Sequence, residues 1–114
     1  MILPIIKNCT SKKEECRIPE ALTYSYSTEM GRLGGEAFSS FVGGAEEAGE
    51  GFAEFYFDSS LEERDEIFRI SVLADKIRIG FRDARGAVNG AATAALLLRK
   101  KRVECCEIVD YPDC

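Results

Sequence analysis

Apolar and polar positions alternate through residues 67–81. Arg69 and Ser71 separate Phe68, Ile70 and Val72, while Arg78 and Gly80 separate Ile77, Ile79 and Phe81. A period of two with β-branched and aromatic side chains is the pattern of a half-buried strand. Ala74-Asp75 leaves only a short connection, so a hairpin is expected. Residues 61–74 offer a competing helix, because Ser60 and Glu63 have capping-box spacing. The hairpin is preferred, since Ile70 and Leu73 fall outside the helical apolar stripe of Leu61, Phe68 and Val72.

From Ala84 the period changes. Residues 87–98 are apolar apart from Asn89, Gly90 and Thr93, and alanine and leucine are strong helix formers. Asp83 is placed to cap the start, and Arg99, Lys100, Lys101 and Arg102 suit the negative end of the helix dipole. A helix this apolar has to be covered on more than one side. It falls well short of the roughly 20 apolar residues that cross a bilayer. Gly86, Gly90 and Ala94 recur every four residues, giving a nearly bare strip for close packing on a sheet or for a partner or ligand. The following VECCEIV, residues 103–109, reads as a further strand.

Upstream, Ile2, Leu3, Ile5 and Ile6 around Pro4 fit a short edge strand, where the missing proline donor is tolerated. Residues 10–19 are charged and end at Pro19, so a loop or single helical turn is expected. Leu22, Tyr24 and Tyr26 alternate as another strand. Met30, Leu33, Ala37, Phe41 and Ala45 keep helical spacing through residues 29–48. Five glycines there cost about 1 kcal/mol each relative to alanine, so this helix needs tertiary support. Residues 49–51 lead into a strand at 52–57, and residues 58–66 form an acidic connector. Residues 110–114 read as a polar tail. The expectation is one α+β domain over residues 1–114, a two-layer sandwich. Its mostly antiparallel sheet has four to six strands, with the helices 29–48 and 84–102 on one face.

The 114 residues include no His, Trp or Gln, and Asn occurs only at positions 8 and 89. Few heat-labile amides beside many charges suggest a thermophilic source. Without histidine there is no imidazole base, no Ser–His or Cys–His nucleophile and no His metal ligand. Charge is uneven: residues 46–66 set nine acids against Arg64 alone, while residues 67–114 hold nine bases and six acids. The net charge of −5 argues against nucleic acid and anionic membrane as partners. Five cysteines, an odd number, and a first apolar run too short for a secretory h-region make a cytoplasmic location the expectation.

The acids Glu46, Glu47, Glu50, Glu54, Asp58, Glu62, Glu63, Asp65 and Glu66 have no EF-hand spacing and read as a solvated face. Cys9, Cys16, Cys105, Cys106 and Cys114 are the metal or redox candidates, although their spacings are not those of thiolate zinc knuckles. Arg78, Arg82 and Arg85 flank the strand-to-helix turn and make an anion-binding candidate, against which Asp83 brings its own charge to the cap. Gly86, Gly90, Ala94 and the basic run 99–102 are the partner-binding candidates, the bases suited to an acidic surface. Neither GxGxxG nor a P-loop is present, and no cofactor follows from the sequence.

Three likenesses rest on these motifs. IRIGF, ARGAVN, the alanines and RKKRVE resemble the centre of the Alba-type nucleic-acid-binding proteins, with the Arg-Gly pair displaced by one position. The hairpin with RGAVNG is similar to the small dimerising subunit of the KEOPS tRNA-modification complex. GRLGGEAF, FAEFYF, GAVNGAA and RVECCE resemble the ligand-binding domain named after 4-vinyl reductase, with altered cysteine spacing. The three are mutually incompatible, and no family is assigned. The expected function is a non-enzymatic protein-binding or assembly module, a homodimer or complex subunit. The alternative is a small-ligand or metal site between the two helices, and the third reading is an Alba-like nucleic-acid protein.

Overall fold

The computed structural model describes residues 8–63, 65–99 and 104–110. Among the described residues seven strands, against the four to six expected, form one sheet: β1 (Asn8–Glu15), β2 (Thr23–Tyr26), β3 (Glu46–Glu47), β4 (Ala53–Phe57), β5 (Phe68–Val72), β6 (Ile77–Phe81) and β7 (Glu104–Asp110). Two helices, α1 (Glu29–Val42) and α2 (Ala84–Leu98), cover one face of it. The strand order is β1-β7-β5-β6-β4-β2-β3. This is the α+β arrangement with two helices on one face.

The hairpin forms as the alternation indicates, with Phe68 opposite Phe81, Ile70 opposite Ile79 and Val72 opposite Ile77. Leu73 N donates to Lys76 O across its turn. The sheet is mixed, however, and not mostly antiparallel. β4 lies parallel to both β2 and β6, and β3 is parallel to β2. A helix between two strands carries the chain back to its starting end, so the next strand runs the same way. α1 does this between β2 and β4. α2 does it between β6 and β7, with β5 lying between that pair.

Three boundaries differ from expectation. The first helix stops at Val42 and not near residue 48, because Gly43 takes a left-handed φ of 82° and caps it. Ser39 Oγ then both donates to and accepts from the Ala45 backbone, which turns the chain into β3. The second helix ends at Leu98 and not at 102. Residues 10–15, part of the segment 10–19 expected as a loop or single helical turn, lie in β1, which pairs antiparallel with β7 through an irregular register between Ser11 and Glu15. No apolar alternation announces that strand, so its partner specifies it. The expected strand at residues 2–6 lies outside the described residues, as does the expected polar tail 110–114 apart from Asp110, which belongs to β7.

The core lies between sheet and helices. Phe38, Phe55, Phe81, Ile70, Ile77 and Ile79 are fully buried, each contributing about 1.5–3 kcal/mol by removal from water. Thr28 and Asp83 cap the helices by accepting from the backbone N–H groups of Gly31 and Gly86. Gly34 sits where α1 meets both Phe55 and α2: a Cβ there would lie 2.7 Å from the Phe55 ring and 3.1 Å from Ala87 Cβ.

Gly86 tests this close approach. Helix propensity alone would favour Gly86→Ala by about 1 kcal/mol, but the added methyl would run into the Ile67 carbonyl. The variant is expected to lose about 1–3 kcal/mol in urea unfolding. Gly49→Ala, which meets open space, is expected to be neutral or slightly stabilising. An unchanged Gly86→Ala would refute the packing argument.

Candidate functional site

The strand residues that point away from the helices carry charge. Glu54 on β4 stands beside Arg78 on β6 in the parallel register. Arg78 Nε lies 2.8 Å from Glu54 Oε1, and Lys76 Nζ lies 3.1 Å from Oε2. The Arg78 guanidinium also covers the Tyr56 ring at 4.3 Å from its centroid, a cation–π contact. Tyr56 lies over Gly80, where a Cβ would come 2.8 Å from Tyr56 Cζ and 3.0 Å from Asp58 Cβ.

Beyond Tyr56, at the carboxyl ends of β4 and β6, Asp58 is only 8% exposed. Its Oδ1 accepts from the Ser60 backbone N–H and hydroxyl, and its Oδ2 lies 3.3 Å from Arg69 Nη1. Arg69 Nε is 3.7 Å from Glu107, too far for a hydrogen bond, and that nitrogen is buried without one. Arg82 Nη1 donates to the carbonyls of Ser59 and Leu61 at 3.0 and 3.2 Å, fastening the start of the acidic connector.

These neighbours set the protonation states. Partial burial alone would raise the Glu54 carboxyl, but the hydrogen bonds from Arg78 and Lys76, with their charges, outweigh it and hold it below its ordinary range. Burial, then the charge of Asp58, pushes the Tyr56 phenol up. The face is thus a carboxylate kept ionised beside a phenol kept protonated. Its chemistry is hydrogen bonding and charge neutralisation.

The sequence candidates are scattered. Arg78 and Arg82 are occupied as above, and Arg85, 83% exposed, reaches Glu66 at 3.6 Å. The three do not converge on a common anion pocket. Asp83 fills the helix start, accepting from Gly86 N and Glu66 N. Gly86, Gly90 and Ala94 are buried, the two glycines against Ile67, Ile79 and Phe68 of this same chain. Arg99 is exposed, and Lys100, Lys101 and Arg102 lie outside the described residues. Cys9 pairs with Ile108 in the β1–β7 ladder. Cys16 is buried, Cys105 and Cys106 lie in β7, and Cys114 is outside the described residues. Among the described residues no group of three His, Cys, Asp or Glu is placed to hold a metal. The helices close on each other at Gly34 and Ala87, where the sequence suggests a ligand site. Tyr56 and the pairing of Glu54 and Asp58 with arginines are not among the sequence candidates. The signal for them is the shared parity of 54, 56 and 58 with 78, 80 and 82, which is useful only once β4 and β6 are known to be parallel.

Neither a family model nor a curated protein sequence matches the chain. Solved structures do. A GH20 exo-β-N-acetylglucosaminidase of Vibrio harveyi, solved with N-acetylglucosamine, superposes with a TM-score of 0.81 at 16% identity, over 97% of this chain and 19% of its own. A β-N-acetylhexosaminidase of Bacteroides fragilis gives 0.77 at 17%, over 98% and 25%. The Streptomyces plicatus N-acetyl-β-hexosaminidase gives 0.75 at 16%, over 98% and 28%. The likeness is one of fold. This chain spans between a fifth and little over a quarter of those enzymes' length. The finding corrects the functional expectation of a non-enzymatic assembly module or homodimer, because the fold recurs here as one section of much longer glycoside hydrolases. It likewise corrects the readings as a small-ligand or metal domain and as an Alba-like nucleic-acid protein. Among the described residues, no helix is long and apolar enough to cross a membrane.

Glu54 offers a test by pH. A carboxyl held below its ordinary 4.5 stabilises the fold above that value, and the contribution is lost as pH falls through the folded pKa. Glu54→Gln is expected to lower stability at neutral pH and to flatten its decline between about pH 5 and 3, read by urea unfolding across that range. An acid limb as steep as that of the unaltered chain would rule out the pairing as its source.

Proposed function

We propose that this chain is the α+β section of a glycoside hydrolase acting on N-acetylhexosamine-containing glycans, beside a section that carries the catalytic groups. The observation that supports this most is the superposition over nearly the whole chain on three such enzymes from different bacteria. The protonation states fit a supporting role. A general acid for glycosidic cleavage needs a raised carboxyl pKa, whereas Glu54 is held low.

The outer side of the helical layer supports the same reading. Leu33 and Phe41 of α1 are 45% and 43% exposed, and Val88, Ala92 and Leu96 of α2 are only half-buried. Apolar side chains grouped on one side favour being covered, and a catalytic section lying there would cover them. A cytoplasmic location and a thermophilic source accompany this reading, supported by the odd cysteine count and the scarcity of side-chain amides.

Hydrolysis of p-nitrophenyl N-acetyl-β-D-glucosaminide in an extract of the source organism is expected to follow this chain through two orthogonal chromatographic steps. Removing the chain with an antibody is expected to remove that activity. Complete separation of the activity from the chain would overturn the reading.

A further inference from the structure

The end of the sheet opposite the helix N-termini holds an open cleft of about 390 Å³. It lies where β4 and β6 begin, bounded by the segment after β1, the approach to β4 and the β5–β6 turn. That volume is within the range of small-molecule sites. Its walls are fixed to one another by backbone: Arg17 N donates to Ala74 O at 2.7 Å, and Ile77 N to Phe52 O at 2.8 Å. Phe52 N donates to Thr23 Oγ1 at 2.9 Å. These bonds tie the backbone segments around the cleft together.

Its lining has two parts. Phe52, 5% exposed, and the half-buried Ile18 give the cleft a small apolar floor. Arg17, Glu50 and Asp75 stand exposed around it, and their side chains make no ion pair with a described residue. Lys76 is already held by Glu54. A guanidinium and two carboxylates thus stand open to solvent around one cleft. Mixed signs disfavour a strongly charged ligand of either sign. They suit a neutral one rich in hydroxyls, whose protons the carboxylates accept and whose oxygens the guanidinium donates to. A pyranose matches both parts, with C–H groups for the apolar floor and hydroxyls around its edge.

We infer that this cleft is a saccharide-binding subsite, separate from the catalytic groups and holding a sugar residue of the glycan. The inference deepens the glycoside hydrolase reading and rests on it for the ligand class. Its test is independent of any activity. ¹H–¹⁵N spectra of the chain titrated with N,N′-diacetylchitobiose are expected to show saturable shifts at the amides of Gly51, Phe52, Lys76 and Ile77. Glycerol at the same concentration is expected to leave them in place. The double variant Glu50→Gln/Asp75→Asn, with Arg17→Gln made separately, is expected to keep a dispersed spectrum and to bind at least about tenfold more weakly. Glu46→Gln, on β3, is expected to bind as the unaltered chain does. Absence of saturable shifts at the cleft, equal shifts with glycerol, or undiminished binding in the rim variants would each overturn the subsite. None of these results bears on whether glycosidase activity fractionates with the chain.

Discussion

The two helices approach the sheet at backbone distance, and the rest of the architecture depends on that approach. Gly34 and Gly90 stand where a side chain would strike Phe55 and Ile79, so α1 and α2 sit low over the central strands. Low-lying helices bring the Phe38 ring within 6.2 Å of the Phe55 ring, edge to face, and let small residues close the seam between the helices. The helices gain little from intrinsic propensity at these glycines. What holds them is the apolar surface they cover.

That one-sided cover leaves the sheet with two unlike faces. Under the helices the strands present Phe55, Ile70, Ile77, Ile79 and Phe81. On the other face the same strands present Glu54, Tyr56, Arg69 and Arg78. Exposed ion pairs contribute little individually. Here two cations share one carboxylate, and a guanidinium stacks on a half-buried phenol ring over Gly80. The arrangement makes an open sheet face polar while its side chains stay ordered. Arg82 extends the order into the connector by holding two of its carbonyls.

Much of this is legible in the chain. The alternation at residues 68–81 marks the hairpin, and the alanine–leucine run marks α2. Asp83 is recognisable as its cap because it directly precedes the change of period. Strand direction is harder to see, since alternation looks the same whichever way a strand runs, and only the helix between two strands implies it. The end of α1 is hidden because Ala45 continues the helical spacing past Gly43, and only the left-handed φ stops it. β1 carries no alternation of its own. The pairing of Glu54 with Arg78 joins residues far apart in sequence, so it appears only when β4 and β6 are set side by side. Function is least legible: with no histidine and no nucleotide fingerprint, the residues supply no chemistry to follow, and the glycoside hydrolase likeness lies in backbone shape at 16–17% identity.

The pairing of β1 with β7 has a geometric corollary. Asn8 sits across the ladder from Val109, so β1 begins and β7 finishes at the same corner of the sheet. A unit built this way can be spliced between two residues of a surface loop in another protein without prising that loop apart. For the same reason, a short bridge from Val109 to Asn8, with the chain opened elsewhere, would leave the strand order unchanged.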